Sequence, residues 1–151
     1  MKKRMRNVTV NGFFKGLTKV YIGIIVSMIM LSAVFYYVRM INENPLPPPF
    51  DKTLALIIAG VVSVFSILVA HLIYATMTRK IQGIGTLAGK MHQFRIANVI
   101  RFAMSELPII ISVVFFFLTG YYELFIFAGI GLLHFFTLLP SKQQFISLFN
   151  P

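Results

Sequence analysis

Four ionisable side chains interrupt long apolar stretches of the sequence, and their chemistry is the first thing to explain. Glu106 and Arg101 fall in one stretch, whereas His71 and His134 fall in two others. A charge at the centre of a membrane span costs on the order of 3 kcal/mol to insert, so ionisable groups there are candidates for function. A carboxyl group and two imidazoles at a similar depth can pass protons to one another. We therefore predict a candidate proton or ion site made of these four residues.

The same residue types have two other interpretations, which the sequence leaves open. Two histidines and a carboxylate are ligands that zinc accepts, but residues on three separate helices have no spacing that defines a metal site. The same groups can also form structural hydrogen bonds within a subunit or between subunits. We assign no metal, no cofactor and no catalytic residue to the protein.

A stripe of polar and small residues runs along the segment that contains Glu106. Its members follow one another at intervals of three or four residues, which places them on one face of a helix. They are Asn98, Arg101, Ser105, Pro108 and Ser112. Small residues let helices approach closely in a membrane, so we expect this stripe, with Gly129 and Gly131 farther along the chain, to face other helices. Glu106 lies roughly 140° around the helix from Arg101, and an ion pair between these two residues is not expected.

The composition excludes an ordinary water-soluble domain. Of the 151 residues, 58% are hydrophobic and 12% are charged, whereas soluble domains contain about a quarter charged residues. The mean hydropathy is +0.83. The net charge of +10 does not indicate a nucleic-acid partner, because little polar surface exists to present it. The chain contains no cysteine, so disulfides and cysteine-based metal sites are excluded.

Four segments have the roughly 20 apolar residues that about 30 Å of hydrocarbon requires. They are residues 20–38, 54–77, 97–118 and 121–139. The sequence therefore predicts an all-α, polytopic integral membrane protein with four transmembrane helices in a single domain. In residues 79–95, apolar side chains recur at helical spacing among basic ones, which predicts a short amphipathic helix at the membrane interface. Residues 42–50 contain four prolines and predict a stiff outer connector.

The distribution of basic residues predicts the orientation. Twelve of the fourteen lysines and arginines fall in the N-terminal segment, in the second connection with the start of the third span, or in the tail. Arg39 and Lys52 fall on the other side. Cytoplasmic loops carry the excess of basic residues, so both termini are predicted to be cytoplasmic. We interpret the first apolar segment as an uncleaved helix, because it is longer than the apolar region of a signal peptide.

The segment from residue 94 to residue 120, FRIANVIRFAMSELPIIISVVFFFLTG, resembles an uncharacterised family of small four-helix bacterial membrane proteins. The residues that carry the resemblance are Arg101, Glu106 and the sequence Leu118-Thr119-Gly120. The resemblance implies a bacterial, Bacteroidetes-like inner-membrane protein and implies no known activity.

The same helix is similar, more distantly, to the carboxylate-bearing helix of rotary ATP synthase c subunits. That likeness implies that Glu106 is an ion carrier. The chain departs from the c subunits in its two additional spans and in a second helix with a single glycine, Gly60. The likeness therefore supports an oligomeric or a proton-linked protein and not membership of the c-subunit family.

We predict a non-enzymatic integral membrane protein that acts as an oligomeric or accessory subunit of an inner-membrane complex. One alternative is a proton- or ion-translocating protein that uses Glu106, and another is a metal-binding membrane protein. Catalysis is not expected, because the sequence offers no nucleophile–base pair and little mass outside the membrane. The expected partners are anionic headgroups at the cytoplasmic face and other membrane subunits or copies of this chain, and not nucleic acid.

Cysteine labelling tests the predicted orientation directly, because the wild-type chain contributes no background. Asn44→Cys is expected to react with a membrane-impermeant maleimide in whole cells. Gly83→Cys is expected to react only after the cells are permeabilised. The opposite pattern would show that the orientation is inverted.

Overall fold

The computed structural model describes the backbone of residues 2–42 and 51–148, with side chains from residue 10 onward in those ranges. Within these ranges the regular secondary structure consists of five helices and no strand. The helices are α1 (Lys2–Ile41), α2 (Lys52–Arg79), α3 (Leu87–Thr119), α4 (Leu124–Phe136) and α5 (Lys142–Ser147).

Three of the helices are long and apolar enough to cross a membrane. They are the Val10–Ile41 part of α1, all of α2 and all of α3. This confirms the prediction of an all-α protein with the character of a membrane protein. α4 is apolar but has only 13 residues, beginning later and ending earlier than the predicted fourth span.

Side chains and one glycine fix the ends of the helices. Asp51 accepts a hydrogen bond from the backbone of Thr53 at the start of α2, and Thr86 accepts one from Gly89 at the start of α3. Such caps satisfy amide groups that have no partner inside the helix. α3 ends at Gly120, whose φ of 76° lies in the left-handed region that favours glycine.

α3 is ten residues longer at its N-terminal end than the predicted third span. It begins at Leu87, so most of the segment predicted to form a separate interfacial helix (79–95) is the first part of α3. The physical reason is that no glycine or proline interrupts the chain from residue 90 to residue 107. Residues 80–86 form the turn between α2 and α3. The predicted proline-rich connector falls largely on residues 43–50, outside the described residues.

α3 is the central helix of the bundle. It packs against α1, α2 and α4. In its most apolar window 44% of the residues are buried, against 22% in α2 and 11% in α1, so α3 is enclosed while the outer helices present most of their surface outward. Tyr21 contacts Phe102 and Tyr36 contacts Phe116, which shows that α1 and α3 run parallel.

Aromatic side chains make up much of the core. The Tyr21 ring stacks on Phe135, with centroids 5.2 Å apart, and its hydroxyl donates a hydrogen bond to the carbonyl of Phe135 at 3.1 Å. Phe145 of α5 packs between Phe14 and Phe94, at centroid distances of 5.8 and 5.1 Å. The core therefore ties α5 to the beginnings of α1 and α3.

The bundle has two chemically different ends. At the first, which we call the basic end, Lys142 Nζ donates a hydrogen bond to Asn11 Oδ1 at 3.3 Å. At the opposite end Lys52 Nζ donates to Glu123 Oε1 at 2.5 Å, and this hydrogen bond lowers the pKa of the Glu123 carboxyl. Because Lys142 follows α4 and Asn11 lies near the start of α1, the chain after α4 returns to the end where α1 begins. Other basic residues at or near the basic end are Lys15, Arg79, Lys80, Lys90 and Arg95.

Gly131 allows α4 to approach α3 closely. A Cβ atom at this position would lie 3.0 Å from Ile109 Cγ1 and 3.2 Å from Pro108 Cβ. A Cβ atom on Gly129 would meet no heavy atom within 4 Å, because Gly129 is exposed. Of the two glycines expected to pack, Gly131 is the one at the contact between helices.

Replacing Gly131 with leucine is expected to destabilise the protein by about 1–3 kcal/mol, because the larger side chain overpacks the contact with Pro108 and Ile109. Gly129→Leu is the matched control. It is expected to be neutral or slightly stabilising, since leucine has the higher helix propensity and space is free. Unfolding in sodium dodecyl sulfate, followed by circular dichroism, measures both, and equal losses in the two variants would contradict this account.

Candidate functional site

Arg101 is the centre of a polar cluster between α2, α3 and α4. His71 and Tyr74 reach it from α2, and His134 approaches from α4. We call these four residues the arginine–histidine cluster. Contacts along the helices show that α2 runs antiparallel to α3 and parallel to α4, so this packing brings residues far apart in the sequence to one level of the bundle.

The hydrogen bonds of His71 define its tautomer. Arg101 Nη2 lies 3.4 Å from His71 Nε2, and a guanidinium group can only donate, so Nε2 is the acceptor. His71 Nδ1 lies 2.9 Å from the carbonyl oxygen of Ile67 and therefore carries the proton. In this arrangement Arg101 contributes the positive charge of the pair.

The ring of Tyr74 stabilises the guanidinium of Arg101 from another direction. The Cζ atom of Arg101 lies 4.4 Å from the centroid of the Tyr74 ring, which is a cation–π geometry. His71 and Tyr74 are three residues apart and so lie on the same side of α2. Tyr74 was not among the predicted site residues, and the signal that could have identified it is this spacing from His71.

His134 completes the cluster from α4. Its ring centroid lies 5.2 Å from that of His71, with the two rings tilted by 43°. Both His134 Nε2 and Arg101 Nε are buried and have no hydrogen-bond partner among the described residues. Buried polar atoms are nearly always hydrogen-bonded in folded proteins, so these two atoms indicate a site whose polar groups are only partly satisfied.

A crevice of about 540 Å³ opens beside the cluster. One side of it is formed by α2 and α3, and the other side by α5. Its lining includes His71, Tyr74 and Arg101 together with Gln144, Ser147 and Leu148. The sequence analysis did not foresee the α5 residues, because a helix of six residues has too short a pattern to identify.

The predicted stripe of α3 lies inside the bundle. Asn98, Ser105, Pro108 and Ser112 are buried. Asn98 Nδ2 donates to the carbonyl of Phe94 at 2.9 Å, and Ser112 Oγ donates to that of Pro108 at 2.6 Å. Because these bonds stay within α3, the stripe is a packing surface rather than a chain of hydrogen bonds between helices. Arg101, a further member of the stripe, reaches across to His71 and Tyr74 of α2.

Glu106 lies on a different face of α3 from the stripe. It shares that face with Val99 and Ala103, both of which are exposed, and is itself partly exposed. Within residues 10–42 and 51–148 it forms no hydrogen bond and no ion pair. The expected meeting of Glu106 with His71 and His134 does not occur, because its position around α3 directs it away from the cluster.

The described residues contain no group of three or more histidine, aspartate or glutamate side chains that could hold a metal ion. Two histidines and an arginine also make a poor cation site, because the guanidinium repels cations. The chemistry of the cluster is therefore that of one positively charged hydrogen-bond donor, Arg101, held beside two imidazoles and an aromatic ring.

Comparisons of the chain with protein-family models, with curated proteins and with solved structures find no match in any of the three. The resemblances of α3 to the four-helix family and to c subunits therefore remain predictions. What can be said about function rests on the residues and their geometry.

Replacing Tyr74 tests whether the aromatic ring stabilises Arg101. Tyr74→Leu is expected to be less stable than Tyr74→Phe by about 1–2 kcal/mol, because phenylalanine keeps a π face for the guanidinium and leucine does not. The measurement is unfolding in sodium dodecyl sulfate. If the two variants are equally stable, or if the difference between them is as large in an Arg101→Gln background, the ring does not act on the cation.

Proposed function

We propose that the protein is a non-enzymatic, multi-pass component of the bacterial inner membrane that works as a subunit of an oligomer or of a larger membrane complex. In this proposal the chain crosses the membrane four times and both termini are cytoplasmic. The basic end faces the cytoplasm and its anionic headgroups.

The contacts at the two ends of the bundle support four crossings. Glu123 meets Lys52 at the opposite end, and Lys142 meets Asn11 at the basic end. The chain between Glu123 and Lys142 therefore traverses the bundle. The 13 residues of α4 span about 20 Å of the distance between the two ends of the bundle, at 1.5 Å per residue. Residues 137–141 span the rest of it.

The unpartnered carboxyl group of Glu106 is the observation that carries the proposed role as a subunit. A polar side chain that faces hydrocarbon is expensive and is normally satisfied by a neighbouring group. Glu106 has no such neighbour among the described residues, and its face of α3 is exposed at Val99 and Ala103. A helix of another subunit that packs on this face supplies the missing donor.

One feature also favours the second candidate function, proton or ion translocation by Glu106. The carboxyl group is not held in an ion pair and lies on the outward face of α3, so it is free to exchange a proton with a partner that moves past it. His71 and His134 are not part of this candidate mechanism, since they contact Arg101 instead.

Two substitutions of Glu106 separate the candidates. Glu106→Leu is expected to weaken assembly about 5- to 30-fold, corresponding to about 1–2 kcal/mol for a hydrogen bond between helices in a membrane. Glu106→Gln keeps a hydrogen-bonding side chain and is expected to assemble. Native electrophoresis and crosslinking in mild detergent measure assembly, with Glu123→Gln as the control.

A wild-type protein that is monomeric in nanodiscs and copurifies with no other subunit would contradict the proposed role. Proton flux in liposomes decides the second candidate. Flux that is present in the wild type and lost in Glu106→Gln, with assembly intact, favours translocation. Equal proton flux in the wild type and in Glu106→Gln excludes translocation by Glu106.

A further inference from the structure

No carboxylate balances the positive charge of Arg101 in the part of the chain that the structure describes. Asp51 and Glu123 lie at the opposite end of the bundle, and Glu106 lies on another face of α3. Glu43 is outside the described residues. An unbalanced charge away from water is costly, and buried charges are normally paired.

The groups that do contact Arg101 stabilise it without neutralising it. His71 accepts a hydrogen bond at Nε2, and the Tyr74 ring contributes a π face. The Nε atom of Arg101 is buried and still has no acceptor. The guanidinium therefore keeps both its charge and unused donor capacity.

The crevice beside Arg101 has the size and the lining for a small oxyanion. Its volume of about 540 Å³ is many times the roughly 30 Å³ that one water molecule occupies. Gln144 of α5 places a further amide donor on the wall that faces Arg101, while Leu72 and Ala75 form an apolar side. The Ser147 hydroxyl on the same wall already donates to the carbonyl of Gln144. A ligand with an anionic head group and an apolar extension matches a crevice with one polar and one apolar side.

The charges around the crevice also favour an anion. α5 lies at the basic end, where Arg79, Lys80 and Lys142 are exposed. The positive potential of these side chains raises the local concentration of anions.

We propose that the Arg101 crevice binds a phosphate-bearing anion, whose oxygens accept hydrogen bonds from the guanidinium of Arg101 and from the side-chain amide of Gln144. A guanidinium matches phosphate with parallel N–H donors, which is why phosphate is the class of anion assigned. The phosphate has two sources, the headgroup of an anionic lipid or free inorganic phosphate. The site is independent of the proposed role as a subunit, because it uses none of the exposed face that carries Glu106.

Two arms of one experiment distinguish the sources, both with the purified full-length protein. In the lipid arm, the protein is reconstituted in phosphatidylcholine nanodiscs that contain phosphatidylglycerol, and native mass spectrometry then measures how much phosphatidylglycerol it retains. In the phosphate arm, delipidated protein in dodecyl maltoside is titrated with inorganic phosphate at constant ionic strength. Thermal stability reports binding in this second arm.

Arg101→Gln is expected to lower the affinity about 10- to 100-fold, since hydrogen bonds to a charged group contribute about 1.5–3 kcal/mol. Arg95→Gln removes an exposed positive charge from the same helix and is the matched control. It is expected to stay within about twofold of the wild type, because exposed charges are strongly screened.

A second pair of variants keeps the test valid if Arg101→Gln does not fold. Gln144 and Gln143 are adjacent and exposed on α5, but of the two only Gln144 lines the crevice. Gln144→Glu introduces a carboxylate that competes for Arg101 and is expected to weaken binding about tenfold or more. Gln143→Glu changes the net charge equally and is expected to leave binding unchanged.

Loss of binding in the lipid arm by the site variants, and not by their controls, supports a lipid headgroup. The same selective loss in the phosphate arm supports free phosphate, and loss in both arms supports one site open to both. A wild-type protein that binds in neither arm overturns the proposal. Site variants that bind like their controls overturn it as well.

Discussion

The apolar surroundings of α3 set the condition that its polar side chains must find partners within protein, because hydrocarbon offers no hydrogen bonds. Ser112 meets this condition by bonding to the backbone of α3 itself, whereas Asn98 meets it with Nδ2 but not with Oδ1. Arg101 meets it only in part, through His71 and Tyr74 of α2. Glu106 does not meet it within the described residues. Asn98 Oδ1 and Ser105 Oγ are also buried without a partner among the described residues, but the proposals rest on the two ionisable residues, Arg101 and Glu106.

Much of the fold follows from local patterns. Long apolar runs and spacings of three and four residues are properties of single helices, which is why the spans in α1, α2 and α3 and the stripe of α3 could be predicted. The cluster could not, because the contact of Arg101 with His71 depends on how two helices are aligned and rotated against each other. Depth alone suggested that Glu106 would meet His71 and His134. Its angular position on α3 decides otherwise, because the stripe faces the other helices and Glu106 lies on a different face.

The position of Arg101 and Glu106 on one helix separates two kinds of chemistry. The cluster around Arg101 opens into a crevice bounded by α2 and α5, whereas Glu106 lies on the face that includes Val99 and Ala103. A single helix therefore presents a positively charged donor inside the bundle and an acceptor on its exposed side. Opposite charges only five residues apart are kept from neutralising each other by roughly 140° of helical rotation.

α5 has only six residues, and isolated helices of that length are not stable in water. Its order depends on the docking of Phe145 between Phe14 and Phe94. The wall of the crevice is thus an element whose local unfolding requires much less free energy than unfolding of the bundle. Because Gln144 lies on α5, detachment of this helix would remove one wall of the crevice while Arg101 keeps its contacts with His71 and Tyr74 of α2.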